Sequence, residues 1–247
     1  MPALHARACR HLAAADPALG ALIARVGRCG LVAERGREPF EALVRAIAHQ
    51  QLHARAAEAI LGRLLAHFPG EGFPAPRVLA ALEDGPMRTA GLSGAKIASL
   101  RDLCARAMRG EVPTRRASAR LDDETLIERL SEIRGVGRWT VEMLLIFTLG
   151  RPDVLPVDDF GVREGYRLLH DLPEQPKPRA LGEIGARWAP HRSVAAWYLW
   201  RRADEGKKIA PPVAPSPPAI PPETPTALAG TPPVLRPAPN GRRQRSS

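Results

Sequence analysis

Cysteine is scarce in this chain of 247 residues: Cys9, Cys29 and Cys104 are the only three, and they lie far apart. Such spacing gives neither a disulfide framework nor the clustered thiolates of an iron–sulfur site. Aromatic residues make up only 4% of the chain, so the position of each one carries information. No stretch reaches the ~18 consecutive apolar residues of a membrane span. The start, Met1-Pro2-Ala3-Leu4-His5-Ala6-Arg7, lacks the apolar core of a secretion signal. These absences point to an intracellular, reduced protein without membrane contact, expected to be cytoplasmic. The seven histidines form no ligand cluster, so no catalytic metal and no other cofactor is expected. Long period-two alternation is missing as well, which predicts an almost wholly helical fold.

What the chain does have is apolar content of 45%, enough for one large or two small packed units, and a formal net charge of +10 with a pI near 10.6. That charge favours a polyanionic partner, although by itself it speaks to non-specific attraction and not to fold. Residues 3 to 15 read as an alanine-rich helix, and Asp16-Pro17 is a cap and first-turn pair opening another up to Val26. Phe40, Leu43, Val44 and Ile47, then Ala57, Ile60, Leu61, Leu64 and Leu65, fall at helical spacing on either side of His49-Gln50-Gln51-Leu52-His53-Ala54-Arg55. After a loop over 69–76, Val78, Leu79 and Leu82 start a short helix. Gly91-Leu92-Ser93-Gly94-Ala95-Lys96 precedes another helix, with Ile97, Leu100, Leu103, Cys104 and Ala107 along one face. The stretch 109–120 is basic and loop-like and reads as solvated surface. Three of the four tryptophans, Trp188, Trp197 and Trp200, fall within thirteen residues near the end of the apolar part.

From Glu205 the composition changes, and residues 211–247 hold 12 of the 26 prolines and a basic end, Arg242-Arg243-Gln244-Arg245. Such a stretch buries too little surface to offset its ordering entropy, so a helical domain over 1–205 and a disordered, proline-rich basic tail over 206–247 are expected.

The most informative stretch runs from Leu126 to Asp159. Leu126, Ile127, Leu130 and Ile133 make one apolar helical face, and Val141, Leu144, Leu145 and Thr148 make a second, with Thr140 placed to cap or open that helix. Between them Arg134-Gly135-Val136-Gly137-Arg138 carries two glycines two apart, which allow left-handed or crowded backbone and let peptide N–H groups at the second helix face an anion. Asp153-Val154-Leu155-Pro156-Val157-Asp158-Asp159 follows, with Asp159 twenty positions after Trp139.

The hairpin together with that downstream carboxylate resembles the 3-methyladenine DNA glycosylase II branch of the helix-hairpin-helix DNA glycosylases, from about Phe40 to Trp200. The resemblance implies an all-α helix-hairpin-helix DNA glycosylase fold, two helical subdomains flanking a cleft, acting as a monomer on duplex DNA containing alkylated bases. Members of the branch often carry an extra α/β domain at the N-terminus; the stretch before Phe40 is too short for one, so the compact form is expected. Asp159 is the implied catalytic carboxylate, and Asp158 is read as the better placed to accept local backbone hydrogen bonds. An N-cap role for Asp159 is compatible with catalysis. Trp139 stands where the strand-cutting relatives have a nucleophilic lysine, so a monofunctional enzyme that leaves an abasic site is implied. Trp139 and Trp200 match the family's pocket aromatics, suited to a cationic alkylpurine such as 3-methyladenine or 7-methylguanine. Met143 departs from the aromatic found there in the bacterial type enzyme, though methionine also packs against rings.

Further implied contacts are a wedge at Leu52 filling the hole left by the flipped base, with Gln51 and His53 beside it, and phosphate contacts at Ser93, Lys96, Gly135, Gly137, Arg138 and Thr140. Main-chain oxygens of Ser131, Ile133 and Val136 would hold a structural monovalent cation. Plainer readings stand beside these: Leu52 in the core of a capped turn, Ser93 as an ordinary N-cap with Lys96 solvated, and the tryptophans as core packing. A non-catalytic helix-hairpin-helix protein recognising damaged DNA is the alternative function. An oxidised-base glycosylase with lyase activity is disfavoured by Trp139 and by the missing cysteine cluster.

Overall fold

The computed structural model describes residues 2–70 and 72–209, with side chains over 5–70 and 72–206. Among these residues every regular element is helical, and no helix is long and apolar enough to cross a membrane. Helices α1 (Pro2–Ala15) and α2 (Pro17–Val26) meet at Asp16, whose carboxylate accepts the Leu19 N–H at 3.2 Å while Pro17 opens the second helix. That is the cap-and-proline start the sequence spells out, since proline has no N–H to leave unpaired in a first turn.

Helices α3 (Pro39–His49) and α4 (Ala54–Leu65) follow as their apolar spacing requires. The single helix expected from Val78 is two, α5 (Pro76–Ala81) and α6 (Asp84–Ala90), because Leu82 and Glu83 take extended backbone between them. Helix α7 (Gly94–Met108) is capped by Ser93. The basic stretch 109–120 is not merely solvated loop: it contains the short α8 (Arg115–Ser118), and Arg115 Nη2 donates to the carbonyls of Glu34, Arg37 and Thr148 at 2.9, 2.8 and 2.7 Å. One guanidinium thus ties α8 to the 34–37 turn and to the segment ending near Thr148.

Helix α9 (Asp123–Ser131) and α10 (Arg138–Met143) are the two limbs of the hairpin, and α10 passes directly into a π-helical turn over Leu144–Leu149. Such wide turns are rare and gather at functional sites. After α11 (Phe160–Leu169) and α12 (Pro178–Gly185) come a 3-10 turn over Ala186–Trp188 and the long α13 (Arg192–Ile209). Helix α13 continues past the expected boundary at 205, and from residue 210 the proline-rich tail lies outside the described residues.

The core is two clusters. One gathers Leu43, Val44, Ile47, Leu64, Leu100, Leu130, Val141 and Leu145 from α3 to α10 and the π-turn. The other gathers Leu12, Leu19, Leu22, Val162, Trp188, Tyr198 and Leu199 from both ends of the described chain. Each such side chain removed from water is worth roughly 1.5–3 kcal/mol. Leu31 and Trp200 pack against both clusters. Inside the second, α11 and α13 approach backbone to backbone, since a Cβ on Gly165 would fall 2.0 Å from the Leu199 carbonyl oxygen. Only glycine admits that contact, and it seats Trp200, one residue beyond Leu199, against the start of α11.

Candidate active site

Local rules build the hairpin. Asp122 caps α9 through the Thr125 N–H at 2.8 Å, and the helix closes with a turn in which the Val136 N–H donates to the Ile133 carbonyl at 2.9 Å. Ile133 and Val136 are buried and anchor the turn to the first cluster. Gly135 has φ of +75°, and a Cβ there would lie 2.6 Å from Ser99 Oγ on α7, so both backbone sign and space demand glycine. Gly137 differs from the sequence expectation: its backbone is extended, with φ of −98°, and nothing crowds it. It occupies the cap position of α10. Thr140 neither caps nor opens that helix; it is buried inside the first turn, its N–H bonded to the Gly137 carbonyl at 2.9 Å.

The other expected DNA-facing residues gather beside the hairpin. Between α3 and α4 the chain turns sharply, with Gln51 at φ +57°, a conformation costly for a residue with a Cβ. Leu52 is 41% exposed, which removes the core reading for it, and Gln51 and His53 are exposed on either side. Gln50 Nε2 donates to the Gly135 carbonyl at 2.7 Å, so turn and hairpin are directly bonded. Ser93 is an N-cap, accepting the Lys96 N–H at 3.3 Å, while Lys96 is not free in solvent: its Nζ donates to the Ala48 carbonyl at 2.8 Å, near the end of α3. Burial lowers the Lys96 ammonium below the usual lysine range. Lys96 therefore supports the end of α3, next to the turn that carries Leu52, and Ser93 caps the helix from which it reaches.

Arg138 is held by two carboxylates. Its Nε donates to Glu142 at 3.0 Å, and its two terminal nitrogens meet both Glu124 oxygens at 3.0 and 2.6 Å. The Glu124 pair above all, and then Glu142, push the guanidinium above the ordinary arginine range. Glu142 is buried, and desolvation lifts its carboxyl to about 7 despite the opposing pull of Arg138. The sequence gives no sign of that residue beyond its position four after Arg138.

Asp159 is buried and sits at the N-cap of α11, accepting the Val162 N–H on Oδ1 at 2.8 Å. The capping role thus falls to Asp159 and not to Asp158, which is exposed. Two indoles complete the arrangement: Trp200 Nε1 donates to Oδ1 at 2.8 Å and Trp139 Nε1 to Oδ2 at 2.7 Å. Hydrogen bonds to a charged oxygen are about twice as strong as neutral ones, so three donors fix both the plane and the direction of this carboxylate. The tryptophans are consequently more than core packing, since Trp139 is 48% exposed and both rings are tied to the acid.

A further aromatic, Phe147, stacks on Trp200 with ring centres 5.5 Å apart. It lines a cavity of about 300 Å³ together with Met143, Thr140, Leu144, Arg45 and His49. Trp139, Met143 and Phe147 are spaced by four residues in succession, so the helical period already places Phe147 on the face of the other two. A larger hollow of about 440 Å³, among Phe40, Phe73 and Pro113, shares no residue with this group. Around the hairpin turn, the Ser131 hydroxyl is buried without a hydrogen-bond partner.

Comparison with known proteins gives the family. Residues 44–191 match the model of the HhH-GPD superfamily base excision DNA repair proteins. DNA-3-methyladenine glycosylase 1 of Schizosaccharomyces pombe is 45% identical over 178 residues, which cover 71% of this chain and 78% of that protein. The alkylbase DNA glycosidase-like protein mag2 of the same yeast is 31% identical over 196 residues, covering 79% and 92%. Among solved structures, the S. pombe 3-methyladenine DNA glycosylase in complex with abasic DNA superposes with a TM-score of 0.72 at 42% identity, covering 79% of this chain and 95% of that one. The Bacillus halodurans DNA-3-methyladenine glycosidase superposes with a TM-score of 0.75 at 34% identity, covering 82% and 91%. The hairpin, the carboxylate downstream of it and these likenesses together make the chain a member of the HhH-GPD superfamily of base excision DNA repair proteins.

Proposed function

We propose that the chain is a monofunctional DNA glycosylase that flips alkylated purines out of duplex DNA and hydrolyses their N-glycosidic bond, acting as a monomer. The observation that carries the reading is the Asp159 carboxylate, buried and held by the indole N–H groups of Trp139 and Trp200. A fixed anion beside the sugar stabilises the positive charge that develops on the deoxyribose as the bond breaks. Water adds to C1′, the glycosidic electron pair departs with the base, and the carboxylate orients or deprotonates the water. A cationic alkylpurine leaves as a neutral base, so no dedicated acid is needed. The rings of Trp139 and Trp200, both bonded to Asp159, and of Phe147, stacked on Trp200, offer electron-rich faces that favour such a cation over a normal purine, with Met143 in the cavity that Phe147 lines. With tryptophan at the lysine position of the strand-cutting enzymes, no Schiff base forms and the backbone stays intact.

Leu52 enters the stack, and Gln51 and His53 touch the bases around the vacated position; the exposure of these residues on the turn bonded to the hairpin supports that reading. Gly135, Gly137 and Arg138 carry the phosphate contact. Main-chain oxygens of Ser131, Ile133 and Val136 would hold a structural monovalent cation. Such an ion would add positive charge beneath the phosphate. The yeast relative solved with abasic DNA supports DNA as the partner.

The test is release of free methylated bases from alkylated duplex DNA by the wild type and by Asp159→Asn, with strand nicks scored before and after alkali. Release lost in the variant, with nicks only after alkali, is the expected result. A wild type that binds DNA and releases nothing would make passive recognition of damage the better reading.

A further inference from the structure

Arg138 opens the second limb of the hairpin, and its guanidinium faces two carboxylates of opposite character. Glu142 is nearly enclosed, with a side chain 3% exposed, and takes only the Nε hydrogen at 3.0 Å. Glu124 belongs to the first turn of α9, has a side chain 62% exposed, and takes both terminal nitrogens in a two-point fork at 2.6 and 3.0 Å. Planar, two-point recognition is the geometry in which arginine also grips a phosphate. The buried contact is anchored; the outer one, between half-exposed groups, is weak and exchangeable.

We propose that Glu124 occupies, in the free protein, the place of a DNA backbone phosphate: on binding, the phosphate displaces Glu124 from the Arg138 fork, while Glu142 acts as the positioning residue that keeps Nε engaged and the fork aimed outward. This rests on the reading of the hairpin as a phosphate-binding element. The arrangement gives the chain a built-in competitor. A carboxylate tethered one helix away lowers affinity for any phosphate that arrives without the other contacts of a flipped site. It also accounts for a cation with two acidic partners in a chain whose net charge is +10 and whose substrate is itself an anion.

The experiment is a double-mutant cycle on the full chain, read as dissociation constants for an undamaged duplex at fixed ionic strength. Glu124→Gln should tighten binding by about two- to fivefold, the range of an exposed ion pair. Arg138→Gln should weaken it, and the gain from Glu124→Gln should vanish in the Arg138→Gln background. Should Arg138→Gln fail to fold, Arg138→Lys keeps a cation against Glu142 while removing the fork, and the gain should shrink in that background. No gain from Glu124→Gln, or the same gain with and without the arginine, overturns the exchange. Gly137→Asp, at an uncrowded cap position, separates the two readings. If it leaves binding unchanged, the hairpin reading fails; if it weakens binding while the cycle shows no coupling, only the exchange fails.

Discussion

Replacing Glu142 by Gln should stabilise the protein at alkaline pH and change little at acid pH. The Glu142 side chain is 3% exposed, and burial is the largest influence on it, lifting its carboxyl from the ordinary 4.5 to about 7. Arg138 opposes the shift, while Asp158 and Glu124 add to it. In the unfolded chain the same carboxyl ionises near its ordinary value. Between 4.5 and about 7 the folded protein therefore holds a proton that the unfolded chain has released, so stability falls as pH rises through that window and levels off above it. At ~1.36 kcal/mol per unit the loss is about 3 kcal/mol. Glutamine keeps an oxygen for the Arg138 Nε and carries no charge, so it escapes this loss. Urea unfolding of both proteins from pH 4 to 9 measures the effect, and other titrating groups cancel in the difference. The variant should match the wild type near pH 4.5 and exceed it by about 3 kcal/mol above pH 8. A difference that does not change with pH, or a wild type that gains on the variant as pH rises, would refute the reasoning. The first would mean that the pair with Arg138 offsets desolvation, the second that it outweighs it.

Three further outcomes follow from the site and the packing. Trp200→Phe keeps a ring against Phe147 but removes the Nε1 donor to Asp159, and a hydrogen bond to a charged group is worth ~1.5–3 kcal/mol. Single-turnover base release should fall roughly ten- to a hundredfold, and an unchanged rate would remove the indole from the positioning of the carboxylate. Leu52→Ala should lower activity on paired lesions more than on lesions in single strands while leaving stability within about 0.5 kcal/mol, because the side chain is exposed. Equal loss on both substrates would end the wedge assignment. Gly165→Ala drives a Cβ into the Leu199 carbonyl and should cost about 3 kcal/mol, or roughly 6–12 °C in thermal midpoint; a midpoint within 2 °C of the wild type would contradict the close approach of α11 and α13.

The sequence by itself determined whatever is encoded within a few residues. Apolar spacing placed α3, α4, α7 and the two hairpin limbs, Asp16-Pro17 marked a helix start, and the two glycines marked the turn, because helical period and capping are local properties. The same period carried the line of Trp139, Met143 and Phe147, although Phe147 declares itself only once its ring is seen against Trp200. Motif resemblance selected Asp159 without giving its surroundings. Only the tertiary structure decided that Asp159 is gripped by indoles 20 and 41 residues away, that Lys96 serves the Ala48 carbonyl, that Arg115 joins three segments and that Gly137 needs no special backbone. The split between Glu124 and Glu142 around one arginine belongs there too, with one carboxylate exposed and the other enclosed. The physical reason is common to all of these. A side chain's donor or acceptor partner, and the dielectric it feels, depend on which distant segment the fold lays against it, and no pattern along the chain specifies that.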